Sequence, residues 1–468
     1  MKNLIFKALE AEEFYRRPEK LQTKEDELKL KGVVRRPVMH RLSYFSPFRQ
    51  TCMDLQHQVC LGTGYAFIKN LLKHLSSSDQ ALLDEFFSKQ QIPTVFQRNP
   101  RSFSEIGQFK ANELYTVTNF TGVPGLHAAG VHAYYAEEPS KNLETRKRYH
   151  LFARFAAIIQ VVISKNYNVE MEEIIAKDLV ELSDDCQEQL GVKFMTYNFH
   201  QIVHHLLDGI YEIGPMHVTS CFIHEGLMGT ARRMQHQFFK VGTEISNRLA
   251  LQQASDFLEE SIVKPSNSDD IQELRFARRT KLHESAHRLT RNGRKVYLLD
   301  KGTDLQTYYG KISGYEKLLL EAAIFDELGD GWNERVEITV FDAAISQFDF
   351  RIERRQDTQR SAEKKRSDCC VQLSNGKATF VIGILCIKDG TKETAFIYGT
   401  KVTEKNWNYF DLDDILRRDI YKKFYRLITE EPCERILTDI FNVEMPVMVF
   451  KDTYQGMVIA PVYLPVPS

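Results

Sequence analysis

No excess of charge marks this chain. Its 62 Lys and Arg face 63 Asp and Glu, a formal net charge of −1, so any nucleic-acid contact must come from local basic patches. No apolar run approaches the roughly 20 residues of a membrane span. The opening MKNLIFKALEAEEFYRR is too acidic, and too poor in apolar core, to read as a secretory signal. The eight cysteines include no CxxC pair, and Cys369-Cys370 are adjacent, which is poor geometry for a common zinc site. Mostly free thiols in a reducing compartment, nucleus or cytoplasm, are expected. No glutamate follows His200 to make the HExxH pattern of zinc proteases there. Walker loops, Gly-x-Ser-x-Gly elbows, Rossmann fingerprints and zinc fingers do not occur. The chemistries that those motifs serve are therefore not signalled.

What is present is a globular composition, 43% hydrophobic and 27% charged over 468 residues, long enough for two or more cores. The stretch Phe194 to Arg233 is dense in histidine: His200, His204, His205, His217 and His224. It also holds a Gly214-Pro215 break and Glu225 in an otherwise apolar segment. A buried carboxylate needs a cation or hydrogen bonds, and either a metal ion or an arginine such as Arg232 or Arg233 would serve Glu225. His200 and His204, four apart, can share a zinc ion from one helix face or can bond within a core. Asp54 and His57 lie on one side of a helical turn. Asp54 reads equally as an N-cap for the apolar helix that follows.

Periodicity organises the rest. Residues 78–90, 145–164, 168–190 and 200–213 have helical spacing, and Ser102-x-x-Glu105 reads as a capping box. Thr219 to Ile223 is short, apolar and β-permissive. Arg98 and Arg101 lie in a basic loop. Residues 275–295 hold a second basic run with Arg275, Arg278, Arg279, Arg291 and Lys295, either a phosphate-contacting patch or a solvated face. Past residue 296 the period shifts toward two. RVEITVFDAAISQFDFRIE and ATFVIGILCI read as strands, and Asp389-Gly390 as a hairpin turn. Residues 412–428 read as an amphipathic helix, and 356–366 as a charged loop. The expected organisation is α+β. It comprises an N-terminal helix and extended linker (1–45), a mostly helical region (46–262), a basic linker (263–295) and a separate, mostly β C-terminal domain (296–468).

Three segments in order carry a resemblance. FSPFRQTCMDLQHQVCLGTGYAFIKNLL has Asp-x-x-His followed by Leu-Gly and a helix. IPTVFQRNPRSFSEIGQFKANELYTVTNF has an Arg-x-Pro-Arg-Ser loop. MTYNFHQIVHHLLDGIYEIGPMHVTSCFIHEGLMG has Tyr-Asn-x-His, Gly-Pro and a glutamate. Over roughly residues 30–250 the chain resembles CACTA (En/Spm-type) transposases. The resemblance implies a partial RNase H-like core with a long helical insertion. It also implies three carboxylates holding two Mg2+ or Mn2+ ions at a phosphate. Carried over by position, Asp54 is the second carboxylate and Glu225 the third, both metal ligands, with His57 beside them.

Two departures shape the expectation. No strand-borne aspartate precedes Gly32-Val33, Asp26 and Glu27 being poor substitutes. His224-Glu225-Gly226 also stands where the family has Phe-Glu-Asn. A transposase-derived protein that does not cut, and that keeps DNA binding through Arg98, Arg101, Arg275, Arg278, Arg279, Arg291 and Lys295, is therefore expected. One alternative is an active metal-dependent transposase or nuclease. Another is a non-catalytic scaffold for a protein partner, with Asp54 a helix cap and Glu225 half of a buried ion pair.

Overall fold

The structure, a computed structural model, describes residues 53–90, 92–96, 98–129, 139–164, 167–214, 216, 220–222, 241–262, 286–299, 302–348, 350–355, 368–404, 426–452 and 456–461. It is mixed helix and sheet, as expected. The chain divides into two units, Met1–Ala66 with Tyr167–Cys221, and Phe67–Asn166 with Phe222–Ser468. No helix among the described residues is long and apolar enough to cross a membrane.

In the first unit every element among the described residues is helical; no strand of an RNase H-like sheet is among them. A π-helix, Leu55–Gly64, buries Leu55, Val59 and Cys60. Ile175, Leu179, Leu182 and Cys186 make one apolar face of the helix Glu172–Leu190. The helix Tyr197–Ile213 buries Phe199, Ile202, Val203, Leu206 and Ile210. Those spacings of three and four are the sequence signal itself. This last helix starts where Thr196 accepts from Phe199 N–H and stops at Gly214, whose N–H bonds Ile210 O.

The second unit begins with helices. Ser77–Lys89 carries a capping box from Ser76 and Asp79. In Pro139–Ile163, Tyr149, Phe152, Phe155 and Ile159 are fully buried. The Phe155 ring sits 4.9 Å from that of Phe67. The capping box expected at Ser102 and Glu105 does not form. Ser102 caps a short 3-10 turn, and the reciprocal pair is Lys110 N–H with Glu113.

The strands are β1 (His287–Arg291), β2 (Arg294–Leu299), β3 (Thr303–Asp304), β4 (Glu337–Phe341), β5 (Ala343–Ile345), β6 (Arg351–Glu353), β7 (Cys370–Leu373), β8 (Ala378–Asp389), β9 (Lys392–Glu404), β10 (Arg426–Asp439), β11 (Val443–Asp452) and β12 (Gly456–Pro461). One sheet runs β1-β2-β5-β6. In the other, β8–β9 pairing closes β7, β8, β9, β10, β12 and β11 into an antiparallel ring, with β4 and β3 appended. Closure leaves the six strands of the ring without a free edge. Residue faces on β8 alternate. Ile384 and Cys386 join a core with the first sheet, while Leu385 and Ile387 join one with the helix Gly314–Leu328. Burial on both faces explains why FVIGILCI reads as an unbroken apolar run.

Three expectations fail here. Residues 287–295, read as linker, form a hairpin whose turn is Asn292-Gly293, both at positive φ. That is the two-residue turn whose twist suits a β-hairpin. Residues 426–428, read as the end of a helix, lie in β10 and pair with β12, and Ile428 pairs with β9 as well; ladder pairing overrides the local period. Cys221 and Phe222, read as β-permissive, are helical. The loop 356–366 and the rest of 412–428 lie outside the described residues.

Within the second unit a loop is pinned to the sheet. Asp368 accepts from Thr94 N–H (2.8 Å) and Thr94 Oγ1 (2.7 Å) and is 1% exposed. Burial lifts its carboxyl to about 6, against the Thr94 hydrogen bonds that lower it. A raised folded value favours the protonated form. That stability is full below the unfolded value of 3.8 and is lost as pH rises through about 6. Above it the ionised carboxyl costs roughly 3 kcal/mol. Asp368→Asn, which keeps both partners, should therefore unfold later than wild type at about pH 7.5, by roughly 1–3 kcal/mol, with no gain near pH 4. Thermal melts at the two pH values read the difference.

Candidate functional site

Asp54 heads the π-helix in extended backbone. Its Oδ1 accepts from Gln56 N–H (3.1 Å) and from Cys221 N–H (2.8 Å), a residue 167 positions away. Its Oδ2 accepts from His57 N–H (2.9 Å) and pairs with His57 Nδ1. Burial raises the carboxyl, yet the bonds from Cys221, His57 and Gln56 together hold it below the ordinary range. The His57 side chain is 54% exposed, that of Asp54 13%. Ligand atoms of Asp54, His57 and Cys221 lie within 4.8 Å of one another. π-Helical segments are frequent at functional sites.

Two of the sequence motifs meet at this place. A Cβ added to Gly62 would lie 2.5 Å from Asn198 Nδ2 and 2.9 Å from His57 O. The Leu-Gly glycine thus allows the Asn of Tyr-Asn-x-His to pack on the π-helix. His200, His204 and His205 follow on the same helix. Rings of His200 and His204 are 4.8 Å apart, those of His200 and His205 5.4 Å. Burial, then its histidine neighbours, lowers His204 to about 4, and burial also lowers His200. The His200 and His204 rings are therefore neutral near pH 7. Among the described residues they belong to no group of three metal-ligand atoms within 4.8 Å.

The donor set does not suit Mg2+ or Mn2+. Those hard ions take oxygen ligands, whereas this site offers one carboxylate, an imidazole and a thiol. Each Asp54 oxygen already accepts two hydrogen bonds, which uses the roughly four lone-pair positions of a carboxylate. Glu225 lies outside the described residues. Cys221 was missed in the sequence; its only signal was a place in the apolar stretch just before Glu225.

The expected phosphate contacts separate into classes. Arg98 is exposed. Arg101 Nε instead faces Glu113 Oε1 at 3.0 Å, and that carboxylate is 1% exposed. Arg101 is thus held by a buried acid. Arg291 pairs with Asp439 at the surface, and Lys295 sits on β2 opposite Thr290. Arg275, Arg278 and Arg279 lie outside the described residues. Comparison with protein families, curated proteins and solved structures finds no match for this chain.

Proposed function

We propose that this chain descends from a CACTA-type transposase, with a reduced RNase H-like core, and that it binds DNA without cutting it. One observation carries the reading. The Asp54-x-x-His57, Leu61-Gly62 and Tyr197-Asn198-x-His200 words, distant in sequence, adjoin through Gly62 on Asn198, and Asp54 receives the Cys221 N–H. The saturated Asp54 oxygens and the soft thiol support a site that has lost a two-metal clamp. A nuclease would need Asp54 free to bind a cation.

Fluorescence anisotropy against duplex DNA tests this. Binding at low salt should weaken linearly on a log–log plot, the slope shrinking by about 0.9 for each phosphate contact removed. Alanine at Arg98, Arg275, Arg278, Arg279, Arg291 and Lys295 together should abolish it. Arg101 is kept, because its loss would strand the buried Glu113. No binding at low salt would sink the proposal and favour a protein-binding scaffold. Mg2+-dependent nicking lost in Asp54→Ala would replace it with an active enzyme.

A further inference from the structure

We propose that His287, Cys386 and Glu393 form a binding site for a divalent transition-metal ion of the zinc class, at the rim of the β-rich unit. It shares no residue with the Asp54 site. The register builds it. On β8 and β9, Lys388 pairs with Glu393 and Cys386 with Ala395. Cys386 and Glu393 are therefore diagonal neighbours on one face of the hairpin. Ala395, directly across from Cys386, leaves the space above the sulfur to other side chains. That space is taken by His287, first residue of β1 in the other sheet, whose ring stacks on Phe341 at 6.5 Å and 14°. Its Nε2 is 2.9 Å from Glu393 Oε2.

The ligand atoms of the three residues lie within 4.8 Å of one another. Zinc bonds of about 2.0–2.3 Å place neighbouring ligands roughly 3.3–3.8 Å apart, so small rotamer changes close the set around one ion. Imidazole, thiolate and carboxylate together are a zinc-type donor set, unlike the all-oxygen shells of Mg2+ or Ca2+. Three protein ligands leave a fourth position for water. Cys386 is 7% exposed, at the edge of the inter-sheet core. The side chains of His287 and Glu393 are 42% and 32% exposed, which gives an ion a route in from solvent. Burial, then the Glu393 charge, pushes the Cys386 thiol up to about 11. On binding, the thiol proton leaves to solvent and a metal–sulfur bond forms. One dication with one thiolate and one carboxylate is then electrically neutral, which suits the apolar floor. A His–Glu pair alone, this exposed, is worth little.

Cobalt(II) is the probe, because a thiolate-to-cobalt charge-transfer band in the near ultraviolet reports sulfur coordination. The full chain, stripped with chelator, should bind cobalt with that band, and zinc should displace it. Cys386→Ala should remove the band, whereas Cys221→Ala should leave it. His287→Gln and Glu393→Gln, at exposed positions that leave the core intact, should each weaken zinc binding at least tenfold by competition. Absence of the band in the folded wild type would overturn the proposal. So would a band that survives Cys386→Ala, or zinc binding unchanged in both exposed variants.

Discussion

Arg435→Met should lower the unfolding free energy of the β-rich unit by about 3–5 kcal/mol, the range for removing one member of a buried ion pair. Arg435, on β10, meets Glu316 in a two-point contact, Nη2 to Oε2 at 2.7 Å and Nε to Oε1 at 3.0 Å. Tyr398 Oη, on β9, donates to the same carboxylate at 2.6 Å. The arginine and glutamate side chains are 11% and 18% exposed. Removing the guanidinium leaves a carboxylate under protein with one phenol to satisfy it. Burial raises the Glu316 carboxyl, but Arg435 and Tyr398 outweigh burial and hold it below its ordinary value of 4.5. A lowered folded value gives stability that is full above 4.5 and is lost as pH falls through the folded value. The gap between wild type and Arg435→Met should therefore narrow in acid, where the stranded carboxyl can take a proton. Urea unfolding of the single variants and of Glu316→Gln/Arg435→Met together measures the coupling. A cost for Arg435→Met below about 1 kcal/mol would mean the pair is solvated like a surface bridge.

Asp54→Ala should cost the helical unit about 2–4 kcal/mol while leaving DNA affinity unchanged. Loss of the cap removes about 1 kcal/mol. The stranded Cys221 N–H, part-buried in the folded protein, adds about 1–3 kcal/mol. Asp54→Asn should also destabilise, since an amide nitrogen in place of Oδ2 would face the His57 N–H, which needs an acceptor. Because the folded carboxyl is depressed, the Asp54 contribution holds above 3.8 and fades as pH falls through the folded value. Denaturation midpoints at neutral and acidic pH, beside anisotropy on the same samples, separate a positioning role from a DNA-contacting one. A fall in DNA affinity at unchanged stability would place Asp54 at the nucleic acid.

Much of the local structure was legible because it is written in short-range periods. The buried faces of Pro139–Ile163, Glu172–Leu190 and Tyr197–Ile213 follow spacings of three and four. The β8–β9 hairpin appears where Asp389-Gly390 announces it, although Asp389 pairs with Lys392 and the turn itself is Gly390-Thr391. Where one signal masked another, reading failed. Charge hid the Asn292-Gly293 turn inside a basic run, and helical spacing hid the start of β10.

By itself, then, the sequence determined the long helices, the turn to strands in the C-terminal part of the chain and the stretches that could hold chemistry, since each depends on neighbours within a turn or a pleat. Only the tertiary structure decided that Asp54 meets Cys221, that Thr94 meets Asp368, that Arg101 serves Glu113 and that His287, Cys386 and Glu393 share one corner. Each of those contacts, the nearby Arg101–Glu113 pair excepted, joins distant parts of the chain. Its energy exists only once loop closure has been overcome by the packing of whole sheets and helices, and no local pattern encodes that sum.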